Sequence, residues 1–456
     1  MSVNEKASSN ELESFIAAVE GLEGVVGGVD GGVERLDSNT DPELELTTEL
    51  AKAPANALRL VKAKGFPGMV VSGLVSTRKR VALSLGVETS EIPWAMENAQ
   101  RNPGELVQVD AKHAGFSENR VDNPDIQEVL PVGRFYPGDG GAYCTAFVVA
   151  GRSPRDGLNL SFHRMMHLEK NRFAVRVVKR HLHRILQETG NNTKIAGFCG
   201  VHPAVLLAAA ISGAPDMNEL AVAAALMGGT LEVCEVSPGL FVPAHSHVVF
   251  TGRFTGDLAD EGPFVDLTGT YDTVRKQPLL EVETLWMRQR PLYHSILPGG
   301  PEHKILMGLP REPSILQAAR SLNPGVREVR LTEGGCSWLH AVISVNAPAP
   351  GQGVNIGLAA LGAHASLKKV TIVDDDIDIH SSADVEWAES TRVQPHRDIT
   401  IIKSASGSTL DPSRNLRDET TSKWIIDATK PRGRDTEFVR AELFVPKGSQ
   451  KPGSTN

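Results

Sequence analysis

Aromatic side chains are scarce, at 5% of the 456 residues. That scarcity argues against stacking platforms for single-stranded nucleic acid. Basic residues are in the minority too, with 47 Lys and Arg against 55 Asp and Glu and a formal net charge of −8. This balance gives no electrostatic grip on nucleic acid or an anionic membrane. Cysteine is rarer still. Cys144, Cys199, Cys234 and Cys336 lie far apart, with no CxxC pair, so neither a disulfide framework nor a thiolate zinc site is expected. Reduced thiols in the cytoplasm are the expectation. Long apolar runs are missing as well. The most apolar stretch, Val205 to Met227, is interrupted by Pro215, Asp216, Asn218 and Glu219, and does not read as a bilayer span. The opening Met-Ser-Val-Asn-Glu-Lys lacks the apolar core of a signal peptide.

What is present is ordinary for a globular protein: 41% hydrophobic and 22% charged residues, with 43 glycines for tight turns. The length calls for more than one core, hence two or three domains. Residues 1–10 and 446–456 are polar tails, expected to be disordered. A mixed α/β segment follows over 11–120. It holds an amphipathic helix around Phe15 to Val19, a turn and strand from Phe66, and a helix from Arg78 that Gly86 ends. Residues 121–315 are the richest in strands. Strands are expected over 142–150, 158–166, 231–236, 240–242, 248–254 and 265–271, with helices over 171–186, 205–211 and 220–227. That pattern predicts a β-barrel-like domain decorated by helices. Residues 316–445 alternate strands and helices, among them Lys369-Val-Thr-Ile-Val-Asp374, and predict a C-terminal α/β domain. The fold class is therefore a multidomain α+β or α/β protein.

Two short segments carry the chemistry. One is Asn159-Leu-Ser-Phe-His-Arg164, followed by Arg180-His181; the other is Glu261-Gly-Pro-Phe-Val-Asp266. Asn, His and carboxylate suit a hard or borderline divalent cation. Arg beside a carboxylate suits recognition of an acid and transfer of a proton. Each residue also has a plain structural reading. His181 and His183 lie about 200° apart on a helix, so one of them at most faces a site. Glu219 fits a variant capping box, Asp216-Met-Asn-Glu219. Glu261 and Asp266 flank a Gly-Pro turn, where exposed acids are common. His294 and Leu297 are candidates for a substrate pocket, with a core role as the alternative for His294. Asp374, Asp375 and Asp376 fit a metal site or a solvated turn. Gly351-Gln-Gly353 lacks the spacing of a dinucleotide loop, and Gly138-Asp-Gly140 lacks the Asn pair of a thiamine diphosphate motif.

Taken in order, these segments are more specific than their members. With Ser76-Thr-Arg-Lys-Arg80, Gly140-Gly-Ala-Tyr143, Lys368 before Val370-Thr-Ile-Val-Asp374, and Trp387-Ala-Glu-Ser-Thr-Arg392, the chain resembles the UbiD family of prenylated-FMN-dependent decarboxylases from about Phe66 to Pro431. The resemblance implies a split-barrel cofactor domain of the flavin-reductase type. It implies that Asn159, His181 and Glu219 hold a divalent metal, usually Mn2+, which binds the phosphate of prenylated FMN, with K+ nearby. Asn159, Leu160, Ser161, Phe162, His163, Arg164, Arg180, His181, Glu219 and Lys368 would bind the cofactor. Arg164, Glu261 and Asp266 match the catalytic set, although some members carry Glu where this chain has Asp266. A flavin prenyltransferase would supply the cofactor, and a homodimer or larger homo-oligomer is implied.

The chemistry explains the need for a cofactor. Loss of CO2 from an aromatic carbon leaves charge in an orbital orthogonal to the ring π-system, and amino-acid side chains offer no sink for it. Arg164 would orient the substrate carboxylate through two parallel hydrogen bonds. Glu261 or Asp266 would deliver the replacing proton. The expected reaction is reversible decarboxylation of an aromatic or heteroaromatic acid, with indole-3-carboxylate and pyrrole-2-carboxylate as candidates. Two other readings stand beside it: a flavin-free metal hydrolase using His181, Glu219 and Glu261, and a non-catalytic, metal-stabilised assembly subunit.

Overall fold

The computed structural model describes residues 11–22, 32–431 and 433–441. The tails 1–10 and 446–456 lie outside these residues. The described chain divides into two compact units, one ending at Pro310 and the other beginning at Arg311.

A nine-stranded sheet is the centre of the first unit. Its order is Tyr143–Cys144, Met165–Glu169, Arg172–Val175, Arg275–Met287, Val248–Glu261, Thr193–Cys199, Val148–Ser153 and Gly157–Phe162, with Asn119–Asp122 also on the Arg275–Met287 strand. Its neighbours are antiparallel. Among the described residues no pairing joins the two ends of this sheet. One face packs on Phe147, Phe173, Phe250, Val282 and Tyr293. Other residues of the unit pack with the helices Pro203–Ala210 and Glu219–Leu226. Those two helices are apolar on every side and buried, as their alanine-rich sequences dictate.

Within the segment 11–120, Val33–Thr40 pairs in parallel with Leu58–Ala63, which pairs antiparallel with Met69–Ser72; two of its strands also pair with later parts of the chain. Met69–Ser72 pairs in parallel with Leu292–His294, and Glu105–Gln108 in parallel with Thr230–Ser237. These strands have three to eight residues, and their pairings to distant parts of the chain are not revealed by local periodicity. The helix expected over 171–186 begins ten residues late. Phe173, Ala174 and Val175 are a buried strand paired on both edges, and the helix is His181–Thr189. The strand expected over 265–271 is instead a turn closed by the Val265–Tyr271 bridge. Arg275–Met287, among the longest strands, went unexpected because Pro278 and its charges suggest a loop. Pro278 falls opposite Leu258, beside a register shift, where a missing N–H is tolerated.

The second unit carries a five-stranded mixed sheet in the order Val326–Leu331, His340–Val345, Lys369–Asp374, Thr420–Asp427 and Ile399–Ser406. The helices Glu312–Leu322 and Gln352–Ala363 pack on one core, and Ser382–Arg392 on another. This is the α/β arrangement expected from the alternation of the sequence.

Several motif residues are used for the fold. Thr77 caps the helix Arg78–Leu85 through Arg80 N, and Gly86 closes it in the left-handed region at φ +66°. Arg80 is buried and donates to the carbonyls of Asn56, Gly73 and Gly32. Arg392 pairs with Asp374 and Asp376, and Asp375 accepts from Asn346. The acid run is thus an arginine clamp and not a metal site. Glu302 fastens the start of its helix to the chain near residue 73. It is 3% exposed and accepts from Gly73 N at 2.7 Å, Val75 N at 3.2 Å and His294 Nε2 at 3.2 Å. Burial alone would raise its pKa, but His294 and the two amides outweigh burial and lower it. A carboxyl lowered on folding contributes stability above its unfolded value and loses it as pH falls below that value. Glu302→Gln should cost about 1–3 kcal/mol at neutral pH. The difference from wild type should shrink on acidification below pH ~4.5, read from denaturant melts at several pH values.

Candidate active site

The strand Gly157–Phe162 starts the site. Its alternation places Asn159 and Ser161 on one face and Leu160 in the core. Asn159 is 5% exposed, and its Oδ1 lies 3.0 Å from His181 Nδ1. Its Nδ2 donates to Ser161 Oγ at 3.3 Å. Glu219 reaches the same strand from its helix, accepting from Leu160 N at 3.0 Å. Asn218, not Glu219, caps that helix, accepting from Leu220 N and Ala221 N. The capping role expected of Glu219 therefore falls to its neighbour, and Glu219 is left as a buried carboxyl. Burial pushes its pKa up to about 7. Burial, and then the charge of Arg184, lower that of His181.

The donor chemistry fits a cation. An amide oxygen, an imidazole and a carboxylate are brought together, and the carboxylate is one that a bound cation would neutralise. Among the described residues no group of three or more His, Cys, Asp or Glu is placed to hold a metal; the set expected here draws one of its ligands from Asn. His163 is not in the set. Its Nε2 meets Ser161 Oγ at 2.9 Å, its Nδ1 meets the Arg176 carbonyl at 2.8 Å, and burial drops its pKa to about 4. Phe162 is half-buried, and exposed Arg180 donates to Ser212 Oγ at 3.3 Å.

Arg164 occupies the junction between Gly157–Phe162 and Met165–Glu169. Its guanidinium is a hub for three carboxylates. Nε and Nη2 hold Glu261 at 2.8 and 3.0 Å, Nη1 holds Asp266 at 3.0 Å, and Nη2 also reaches Asp272 at 3.1 Å. Burial works against its charge, but Glu261 and then Asp266 and Asp272 outweigh burial and raise its pKa. The two parallel hydrogen bonds expected for a substrate carboxylate are made to Glu261 itself. Glu261 has no exposed surface and also accepts from Tyr143 Oη at 3.0 Å. Phe264 lies under the guanidinium, 4.6 Å from Cζ to the ring centre.

The glycine motif builds this hub. A Cβ on Gly140 would lie 2.0 Å from the Gly262 carbonyl, so only glycine lets the two loops meet. Gly140 N donates to the Pro263 carbonyl at 2.8 Å, and Gly262 has φ +98°. The contact carries Tyr143 to Glu261. Asp272 was missed by sequence reasoning. It lies beyond the expected motif, and only the turn that closes at Val265–Tyr271 returns it to Arg164.

The remaining candidates have other surroundings. Lys368 belongs to the second unit, where its Nζ pairs with Asp411 at 2.7 Å and bonds Ser413. His294 is wholly buried against Glu302. Leu297 lines a small cavity with Arg59, Ser72, Ser76 and Glu302.

A buried arginine that organises several acids, close along the chain to an amide, an imidazole and a buried carboxyl, is an arrangement able to move protons. Comparisons with known proteins agree. The 3-octaprenyl-4-hydroxybenzoate carboxy-lyase models match as an N-terminal domain over 29–96, a Rift-related domain over 107–301 and a C-terminal domain over 304–428. Anhydromevalonate phosphate decarboxylase of Methanothermobacter thermautotrophicus is 41% identical over 89% of this chain and 96% of its own. That of Methanocaldococcus jannaschii is 45% identical over 71% and 77%. The structure of the UbiD-class enzyme HmfF from Pelotomaculum thermopropionicum with FMN superimposes with TM-score 0.90 at 32% identity, covering 95% of this chain and 97% of that one. An evolved dimeric form of that enzyme with prFMN gives 0.86 at 31%, with coverages of 95% and 97%. The chain belongs to the UbiD family of prenylated-FMN-dependent carboxy-lyases, and it is a decarboxylase of that class. Among the described residues no helix is long and apolar enough to cross a membrane.

Lysine in place of Arg164 offers one point charge where a planar fork serves three acids. Arg164→Lys should lose about 3–5 kcal/mol of stability in the cofactor-free protein, because buried carboxylates are left uncompensated. Turnover of the loaded enzyme should fall by on the order of 10²-fold or more. Calorimetry and CO2 release check the two parts separately.

Proposed function

We propose that this enzyme decarboxylates anhydromevalonate phosphate with prenylated FMN as cofactor. The observation that carries the reaction is the Arg164 hub, which fixes a buried acid, Glu261, by two hydrogen bonds and adds a third from Tyr143. The observation that carries the substrate is the run of five anhydromevalonate phosphate decarboxylases at 38–45% identity. Indole-3-carboxylate, pyrrole-2-carboxylate and other aromatic acids give way on that ground. The hydrolase and assembly-subunit readings give way to a family of carboxy-lyases.

The name of the substrate denotes mevalonate phosphate less one water, an unsaturated acid bearing a phosphate. A carboxyl on a doubly bonded carbon poses the same difficulty as one on an aromatic ring, since its departure leaves charge in the plane, orthogonal to the π-system. Prenylated FMN supplies the electron sink when bound. Asn159, His181 and Glu219 would hold the divalent metal, which we take to be Mn2+, that binds its phosphate, with K+ nearby. Residues 159–164 and Arg180 would complete its binding. A flavin prenyltransferase would supply it, and the enzyme would act as a homodimer or larger assembly.

The chain's own residues position and protonate. Glu261 delivers the proton that replaces CO2, its geometry fixed by Arg164 and Tyr143. Asp266 and Asp272 keep the guanidinium from swinging toward solvent. Arg164, Glu261, Asp266 and Asp272 together carry a net negative charge when all are ionised.

Expression with and without a flavin prenyltransferase tests the reading. The loaded enzyme should release CO2 from anhydromevalonate phosphate and leave indole-3-carboxylate and pyrrole-2-carboxylate untouched. Turnover of an aromatic acid alone would overturn the substrate assignment, and turnover without flavin would overturn the cofactor. His181→Ala should lose flavin and manganese together, read by absorbance and metal analysis. Full retention of both would remove His181 from the ligand set.

A further inference from the structure

Arg164 has five N–H donors, and four are engaged by Glu261, Asp266 and Asp272. A substrate with two anionic groups therefore finds little free donor capacity at Arg164. Another guanidinium lies beside it. The antiparallel register that pairs Val175 with Met165 continues outward to Arg176 opposite Arg164, and Arg176 N donates to the Arg164 carbonyl at 3.1 Å. Directly opposed residues of antiparallel strands project on the same side of the sheet.

Two arginines facing each other across strands repel. Arg164 is compensated by its acids and Arg275 by Asp272. Arg176 is half-buried, and among the described residues its guanidinium has no hydrogen-bond or ion-pair partner. Burial, and then the charges of Arg275 and Arg164, disfavour its charged form. Neither its packing nor its electrostatics rewards an arginine in the structure as it stands. Its carbonyl anchors His163, but any residue could supply that carbonyl. A partly buried, unpaired guanidinium beside Arg164 and its acids has the chemistry of a receptor for an oxyanion.

We infer that Arg176 binds an oxyanion of the substrate, carboxylate or phosphate, and so sets which acids the enzyme accepts. The choice between the two anions rests on the proposed phosphorylated substrate; the role of Arg176 as a receptor does not. Arg164 is then the positioning residue for Glu261, and substrate capture falls to Arg176.

The test compares loaded wild type, Arg176→Gln and Arg176→Lys. Flavin content is read by absorbance, and KM and kcat are measured with anhydromevalonate phosphate and with the same acid lacking the phosphate. Flavin content should be equal in all three. Gln should raise KM for the phosphorylated acid on the order of 10–100-fold, the loss of a charge-assisted hydrogen bond, with a much smaller change in kcat. Lys should recover part of the loss. A rise confined to the phosphorylated acid places the phosphate at Arg176, and an equal rise for both acids places the carboxylate there; either supports the inference. Unchanged KM for both acids with full flavin would overturn it. Loss of flavin with unchanged KM would overturn it as well, by making Arg176 a cofactor residue. Failure of wild type to turn over the phosphorylated acid would overturn the substrate reading alone, and the KM of the acid that wild type does accept would then decide the role of Arg176.

Discussion

One buried guanidinium holds the site together. Removing charges from water is costly, and a buried pair repays the cost only with good geometry and satisfied hydrogen bonds. Arg164 meets that condition with four bonds to three acids, a ring beneath it and a tyrosine bracing the acid from behind. The close approach of Gly140 to Gly262 and the bridge at Val265–Tyr271 are the backbone side of the same arrangement. Glu261 is thus fixed by contacts that predate the substrate, as a proton donor must be if binding is not to spend itself on orientation.

The other half of the site is built on the same strand. Asn159 lies in the strand Gly157–Phe162 and Arg164 just past its end, so the Asn159–His181 and Glu219–Leu160 contacts are tied to the acid hub through one short segment. A cofactor held by its phosphate near Asn159 would have its reactive end directed by the same segment. Arg176, just beyond the neighbouring strand Arg172–Val175, lies opposite Arg164.

Much of this was legible in the sequence, and the reason is locality. Asn159, Arg164, Glu261 and Asp266 lie in two six-residue segments whose order is distinctive, and the C-terminal sheet announces itself through apolar runs such as Val370 to Val373. What was not legible depends on distance along the chain. Arg275–Met287 is a strand because Val248–Glu261 pairs with it, despite Pro278. Phe173 to Val175 are a strand because both edges are taken, despite good helix formers on either side. Asp272 joins Arg164 only through a turn. For Glu219 the plain structural reading, helix capping, belongs to Asn218. The Asp374 to Asp376 run misled, since Arg392 was the missing partner. The aromatic substrate was an inference from family chemistry, and no residue in the chain spoke to it.

The central claim is that Glu261, held by Arg164 and Tyr143, moves the proton at the carbon that loses CO2. Hydrogen–deuterium exchange into the decarboxylated product tests it most directly, because that product carries no carboxylate and needs no CO2 chemistry. Loaded wild type in D2O should place deuterium at that carbon, followed by NMR. Glu261→Gln, with flavin content unchanged, should lose exchange by at least the ~10²-fold that general acid–base catalysis contributes. Exchange at the wild-type rate in the fully loaded Gln variant would contradict the account and pass the proton to another acid of the hub.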